Sequence, residues 1–521
     1  MSEILNGSPE WATAFPSTDE GWAHPSTAGG LLTLLTRGLA SAGVRHCLWK
    51  GRPDLQRVLS GEGDLDLLVD RRDAEALLSV AERLGFKGGI SCFEPPPAHE
   101  LHLYGLDEAG ALIHFHVNFA VLGEEAAPIN ANPLLEDLVL QHTAPLAEPG
   151  LLEGMPVVQA RAGVIVFVLR TMLRYSRLRA YPGLAAQREA LQAKLQALLA
   201  EDAEAGWRQL LPVWLPSVPL PLFSECVEAL RRPTPWPRRF WLAWRLRKRL
   251  RGYLRRTSAR GVARQALALV RAAGWRFRHG PGSPKTLLSG GAVIALIGPE
   301  ASGKSTLVAE TTEWLAQAFR VSSAHLGKPP SAWLTLLPNL AQWLARLAAP
   351  RLGASLREAG REEQGPNRPG LLFQLRAVLL AWDRRSLAVR LSRKAAQGWL
   401  VVCDRYPSAV VGAVDSARLA GHQGGAEQGW LRACLARLES RLYRGVPSPD
   451  VVIRLTAPLA VAIERNKERK KIRKESDAYV TRRHRDFVAP PFACARTIEL
   501  DTNRPRSETV RTLRRWLWEL L

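Results

Sequence analysis

Between an apolar hexapeptide and a long amphipathic stretch, the chain reads Gly298-Pro-Glu-Ala-Ser-Gly303-Lys304-Ser305. No other segment narrows the fold as much. At this spacing, glycines let backbone N–H groups close around phosphate oxygens. A lysine then reaches the β- and γ-phosphates, and a hydroxyl reaches Mg²⁺. Such a loop needs a buried strand before it and a helix N-terminus after it. Both flanks are present, as "AVIALI" and "STLVAETTEWLAQAF". A plain glycine-rich turn is the alternative, and these flanks weigh against it. Gly298, Ser302, Gly303, Lys304, Ser305 and Thr306 are therefore the expected contacts to bound ATP.

Downstream, the apolar runs "RVSSAHLG", "WLVVCD", "DVVIRL" and "TIEL" alternate with helical stretches. That alternation predicts a doubly wound α/β domain, a parallel sheet covered on both faces. "LVVCDRYPS" sets Asp404 and Arg405 at the carboxyl end of a buried strand, where open α/β sheets hold their ligands. Asp404 is then a candidate metal partner beside Ser305. Two guanidiniums aimed at that end, Arg384 of "AWDRR" and Arg405, could clamp an anionic acceptor bidentately.

Taken in order, "GPEASGKST", "AWDRR", "GWLVVCDRYPS" and "PDVVIRLTAPLAVAIER" resemble thymidylate kinases over about the last 230 residues. The resemblance implies ATP and Mg²⁺ as cofactors, with Lys304, Asp404 and Arg405 in the catalytic set. It casts Glu300 as the loop carboxylate near the acceptor sugar, and Arg384 and Arg405 as the arginines on the acceptor phosphate. "ERNKERKKIRKES", Glu464 to Ser476, sits where that family has its mobile lid. With no arginine in the phosphate loop, Arg469 and its basic neighbours take the role of the catalytic lid cations. A solvated basic helix end is the other reading of that run. "ELDTNRP", Glu499 to Pro505, resembles the loop against the adenine, and a dimer is compatible with the family. Where the family carries an "EPG"-type loop, this chain reads "AHLGKPPSAW", so the acceptor stays open between a nucleoside monophosphate and a sugar phosphate.

Ahead of this domain, "GDLDLLVDRRD" puts Asp64 and Asp66 two residues apart on a predicted strand, both on one side. Such a pair can hold the Mg²⁺ of a nucleoside triphosphate. With "LWKG" before it and "IHFHVNF" after it, residues 31–230 resemble an uncharacterised nucleotidyltransferase family of α+β, polymerase-β-like fold. The resemblance puts His114 at the third carboxylate position, as a candidate metal ligand with Asp64 and Asp66, and His116 at the family's histidine. A non-catalytic or single-metal domain and a plain strand-end acidic pair are the competing readings, since imidazole suits softer metals than Mg²⁺.

The net charge of +22 is local. Between Glu228 and Glu300 there is no acidic residue and there are seventeen Lys and Arg. Within this gap "PWPRRFWLAWRLRKRLRGYLRR", residues 235–256, carries Leu242, Leu246, Leu250 and Leu254 at helical spacing. A helix docked on the domains, an interfacial membrane helix and, least favoured, a nucleic-acid contact all fit. The six cysteines form no CxxC pair, which fits a reducing compartment and no structural zinc. No run is long and apolar enough to predict a transmembrane helix. The expected organisation is a loose leader (1–30), a nucleotidyltransferase-like domain with a helical extension (31–230), a basic segment and linker (231–290), and a kinase domain (291–521). The expected location is cytoplasmic, at the inner membrane surface if the basic segment meets lipid. Proteins joining two such modules resemble accessory enzymes of bacterial surface-polysaccharide synthesis. A nucleotide-gated binding module without turnover is the second reading, although a switch needs no acceptor clamp.

Overall fold

The structure, a computed structural model, describes residues 28–50, 57–58, 63–91, 100–107, 109–122, 134–146, 152–176, 181–252, 285–330, 371–411, 413, 415–419, 430–468, 476–493 and 496–521, and four isolated positions between 267 and 277. The predicted leader up to residue 27 and the lid cations from Arg469 to Lys474 lie outside the described residues, and residues 28–30, also read as leader, instead begin the first helix. The chain divides into two compact units at Pro284–Lys285.

In the first unit the strands are β1 (His46–Leu48), β2 (Asp64–Val69), β3 (Lys87–Ser91), β4 (Glu100–Leu106), β5 (Leu112–Asn118), β6 (Thr143–Pro145) and β7 (Pro156–Val158). They run in the order β6-β7-β1-β2-β5-β4-β3. The pairs β2–β5 and β1–β7 are parallel, while β1–β2, β3–β4, β4–β5 and β6–β7 are antiparallel. Alternation decides which side each residue faces. Leu65, Leu67, Leu101, Leu103, Phe115 and Val117 are buried. The intervening Asp66, Glu100, His102, His114 and His116 are only partly covered, and Asp64 is exposed.

Helices α1 (Ala28–Ser41) and α2 (Ala74–Arg83) accompany the sheet, and the rest of this unit is helical. These elements are α3 (Leu134–Gln141), α4 (Ala160–Tyr175), α5 (Tyr181–Ala186), α6 (Arg188–Glu201), α7 (Trp207–Trp214), α8 (Leu220–Arg231) and α9 (Trp236–Arg249). α4 is apolar nearly all round and runs through the centre of the core, burying Val164, Ile165, Val168, Leu169, Met172 and Leu173. α9, the start of the basic segment, packs on α4 and α8 through Leu242, Ala243 and Leu246. Burying two leucines contributes roughly 3–6 kcal/mol, enough to hold the helix in place. Arg239 is buried too, donating from Nε to the Ala229 carbonyl (3.0 Å) and from Nη1 to the Tyr175 hydroxyl (3.3 Å). This part of the basic segment is thus a docked helix of the first unit. Its outer face keeps Trp236, Trp241 and Trp244 about half exposed, with Arg245 over the Trp241 ring at 4.5 Å. Residues 253–256 lie outside the described residues.

The second unit opens with β8 (Lys285–Leu287), a strand where composition predicts linker. Then follow β9 (Ala292–Ile297), α10 (Lys304–Ala316), β10 (Val321–His325), α11 (Leu371–Ala395), β11 (Leu400–Asp404), α12 (Trp430–Arg444), β12 (Val451–Thr456), α13 (Leu459–Glu468), α14 (Asp477–Arg485), β13 (Arg496–Asp501) and α15 (Arg506–Leu520). Five of these strands form a wholly parallel sheet in the order β10-β11-β9-β12-β13. β9 is central and buried from Val293 to Ile297. The chain goes to one side of it for β10 and β11 and to the other for β12 and β13. That reversal opens a crevice at the carboxyl ends of β9 and β11, where the phosphate loop lies.

Candidate functional site

The turn from β9 into α10 is built for close backbone approach. Gly303 caps α10 in the left-handed region (φ 88°), and a Cβ on Gly298 would lie 2.8 Å from the Leu455 carbonyl oxygen. Lys304 is buried and folded into its own loop, donating to the carbonyls of Pro299 and Gly298 (3.2 Å). Ser305 donates from Oγ to Asp404 Oδ2 at 2.6 Å. The other oxygen, Asp404 Oδ1, is buried with no hydrogen-bond partner among the described residues. A hydroxyl and a carboxylate from two adjacent elements, one oxygen unpaired, suit an oxygen-preferring dication such as Mg²⁺.

Across the crevice, Arg405 donates to Glu300 Oε2 (2.7 Å) and lies 3.5 Å from Asp415 Oδ2. Arg384, 1% exposed, also pairs with Asp415 and donates to the Tyr443 hydroxyl (2.8 Å) and the Gly327 carbonyl (3.2 Å). The two predicted acceptor arginines thus converge, but on a carboxylate that no motif singled out. Burial pushes the Asp415 carboxyl up, yet Arg384, Arg405 and Arg483 outweigh it and hold the group below its ordinary range. Burial depresses the Arg405 guanidinium, and Asp415, Glu300 and Asp404 more than offset this.

Ala301, Arg405 and Asp415 have φ of 62°, 69° and 61°. Each such non-glycine residue costs roughly 1–3 kcal/mol and needs a surrounding structure that enforces it. All three line one cavity of about 990 Å³. Ten Lys and Arg line it against four Asp and Glu, so it favours anions. Beyond the predicted residues these include Lys328, Arg376, Arg418, Arg465 and Arg483. Gly298 and Ser302 shape the loop, while Gly303, Lys304, Ser305 and Thr306 line the cavity directly. At the far end Arg465 donates to Thr502 Oγ1 (3.1 Å), within the predicted adenine loop. Arg469 lies outside the described residues, between α13 and α14.

In the first unit, register decides which histidine meets the aspartates. Asp64 is opposite His114 and Asp66 opposite His116 on the parallel pair β2–β5. His116 Nδ1 lies 3.1 Å from Asp66 Oδ1, and Asp64, Asp66 and His116 form one possible ligand group. His114, the residue read from sequence as the ligand, turns instead to His102, with Nε2 3.0 Å from His102 Nδ1, and stacks on Tyr104. Lys50 pairs with Asp66. A neighbouring pocket of about 280 Å³ is lined by Lys50, Arg170, Arg174 and Lys194, with no carboxylate among the described residues. Burial lowers the His116 imidazole, but its contacts with Asp66 and Glu100 raise it above its ordinary value.

No family model matches the chain. It is 28% identical over 226 residues to the uncharacterized ATP-binding protein YghS of Escherichia coli strain K12, spanning 42% of this chain and 88% of the relative. The uncharacterized ATP-binding protein YghR of the same strain is 28% identical over 180 residues, 33% of this chain and 68% of its own. Among solved structures, thymidylate kinase from Candida albicans aligns with 44% of this chain and 91% of its own, at 18% identity and a TM-score of 0.26. TT1252 from Thermus thermophilus aligns with 44% and 99%, at 21% identity and a TM-score of 0.25.

Proposed function

We propose that the second unit binds ATP and transfers its γ-phosphoryl group to an anionic small molecule, a nucleoside monophosphate or a sugar phosphate. The observation that carries this reading is one cation-lined cavity holding the Ser305–Asp404 pair and the Arg384–Asp415–Arg405 cluster together. A nucleotide switch needs the first group and has no use for the second. The ATP-binding names of the two relatives support the nucleotide half of the reading.

In this reading Lys304 exchanges its loop carbonyls for phosphate oxygens. Ser305 and Asp404 would hold Mg²⁺, which neutralises phosphate charge when bound. Arg405, steered by Glu300 and Asp415, meets the acceptor's anionic group, and Arg384 holds Asp415 in place. Positioning and charge stabilisation are most of what phosphoryl transfer asks of a protein. Arg469, on closure of the basic run, would add positive charge to the transferring group. The first unit is read as nucleotidyltransferase-like: Asp64 and Asp66 would face the Mg²⁺ of a triphosphate, and the Lys50–Arg170–Arg174–Lys194 pocket would take its phosphates. The tryptophans on the outer face of α9 suit the surface of an anionic bilayer, which fits a cytoplasmic protein held at the inner membrane. Among the described residues no helix is long and apolar enough to cross a membrane.

The test is a screen of the full chain with labelled ATP against nucleoside monophosphates and sugar phosphates, alongside Lys304→Ala. Label should reach an acceptor with the parent chain, and the variant should lose the transfer. Transfer that survives Lys304→Ala at the parent rate would place the site elsewhere. Tight ATP binding with no transfer to any acceptor would favour the switch.

A further inference from the structure

The polar face of the first unit's sheet carries a second set of ligand atoms beside the aspartate pair. On the antiparallel pair β4–β5, His102 is directly opposite His116, and Glu100 is opposite Asn118. Glu100 is therefore the diagonal neighbour of His116 on the same face, within reach of a long side chain. Glu100, His102 and His116 offer three ligand atoms within 4.8 Å of one another. We propose that these three residues hold a divalent transition ion of the Zn²⁺ class, with Asp66 and His114 orienting the two imidazoles.

Three observations carry this. First, His116 Nε2 is buried and has no hydrogen-bond partner among the described residues. Its nearest carboxylate oxygen, Glu100 Oε2, is 3.6 Å away. That exceeds the roughly 2.7–3.2 Å of an N–H···O bond. It is close to the edge of about 3.3 Å that a tetrahedron with bonds of about 2.0–2.1 Å requires. Second, the opposite nitrogen is already occupied. His116 Nδ1 faces Asp66 Oδ1 at 3.1 Å, the carboxylate–histidine arrangement that orients the ring and directs Nε2 at a metal, which would displace the Nε2 proton. Third, His102 repeats the device. Its Nδ1 lies 3.0 Å from His114 Nε2, a contact that holds one proton. With that proton on His102 Nδ1, His102 Nε2 is the ligand atom. The two ligand rings stack at 4.7 Å, and all five side chains stand on three paired strands. Two imidazoles and one carboxylate suit borderline ions far better than Mg²⁺.

This site is distinct from the phosphate cavity of the second unit, so its test is independent of the kinase reading. The full chain is stripped with chelator and titrated with Co²⁺ and Zn²⁺, following heat and the visible Co²⁺ spectrum. One ion per chain should bind with a tetrahedral nitrogen–oxygen spectrum. Glu100→Gln and His102→Gln should each weaken it at least about tenfold, while Asp64→Asn retains it. His114→Ala should weaken it about 10–100-fold and shift the Co²⁺ band, and His114→Gln, which restores an acceptor, should recover both. Circular dichroism confirms that each variant folds. If no stoichiometric ion binds, the cluster is only a histidine–carboxylate network and the proposal is wrong. It is equally wrong if Asp64→Asn abolishes binding while His102→Gln does not, because the ion then belongs to the aspartate pair.

Discussion

Replacing Asp415 by Asn removes the charge on which a buried and a partly buried arginine converge. Asp415 and Arg384 are both almost wholly enclosed, with side chains 9% and 2% exposed. Asn keeps the shape and one acceptor, but leaves Arg384 charged and without its carboxylate. Arg405 keeps Glu300, so its loss is smaller. Breaking one partner of a buried ion pair costs about 3–5 kcal/mol. For a unit of this size each kcal/mol lowers the melting temperature by about 2–4 °C, so the second unit should melt about 6–20 °C lower. Hydrogen exchange read on peptides from β11 reports this unit alone. The pH dependence gives a second reading. The Asp415 carboxyl is held below its ordinary value, so its contribution is full above about pH 4 and fades as pH falls through the depressed value. Parent and variant should therefore converge in acid. Inorganic phosphate should stabilise the variant more than the parent, by supplying the missing negative charge. A variant that melts within about 2 °C of the parent at neutral pH would refute the reasoning, because the arginines would then be held by something else.

Arg405→Ala should weaken the acceptor by about 2–3 kcal/mol while changing ATP binding little, as seen in separate titrations of each ligand; equal losses in both would argue against an acceptor contact. Trp241→Ala with Trp244→Ala should reduce co-sedimentation with anionic liposomes and leave the melting temperature within a degree or so, since both rings are half exposed. Binding by the parent chain should disappear near 1 M salt, where the Debye length is about 3 Å. No liposome binding at low salt would leave α9 as a docked helix alone.

The phosphate loop was legible because its pattern is contiguous: Gly298 to Ser305 form a single turn between one strand and one helix. Asp404 was legible because a strand end is a place, and strand ends can be read from apolar runs. Asp415 was not. It stands eleven residues past that strand in a left-handed conformation, with no periodic pattern or motif around it, and its importance comes from the two arginines that fold onto it. The histidines show the limit of spacing. His114 and His116, two apart, share a face, but only the register of β5 on β2 says which one meets Asp66. Glu100 and His102 needed a second register, β4 on β5, before they could be placed at all. In α9 the leucine spacing correctly marked the packed stripe, while the tryptophans, the more conspicuous residues, proved to be on the outside.

The central position of β9 has a consequence for how the protein must be made. Its neighbours, β11 and β12, begin at Leu400 and Val451, so more than a hundred residues follow Ile297 before either lateral edge can be paired. At a synthesis rate of about 5–20 residues per second, "AVIALI" waits on the ribosome for about 5–20 s as an unpaired apolar strand. That is a sequence suited to pairing with other chains, and parallel partners distant in sequence are slow to arrive. The first unit, complete and preceding it, can fold during that delay. The second cannot begin its sheet until about half of it exists, and slower growth or added chaperone should raise its soluble yield more than that of the first.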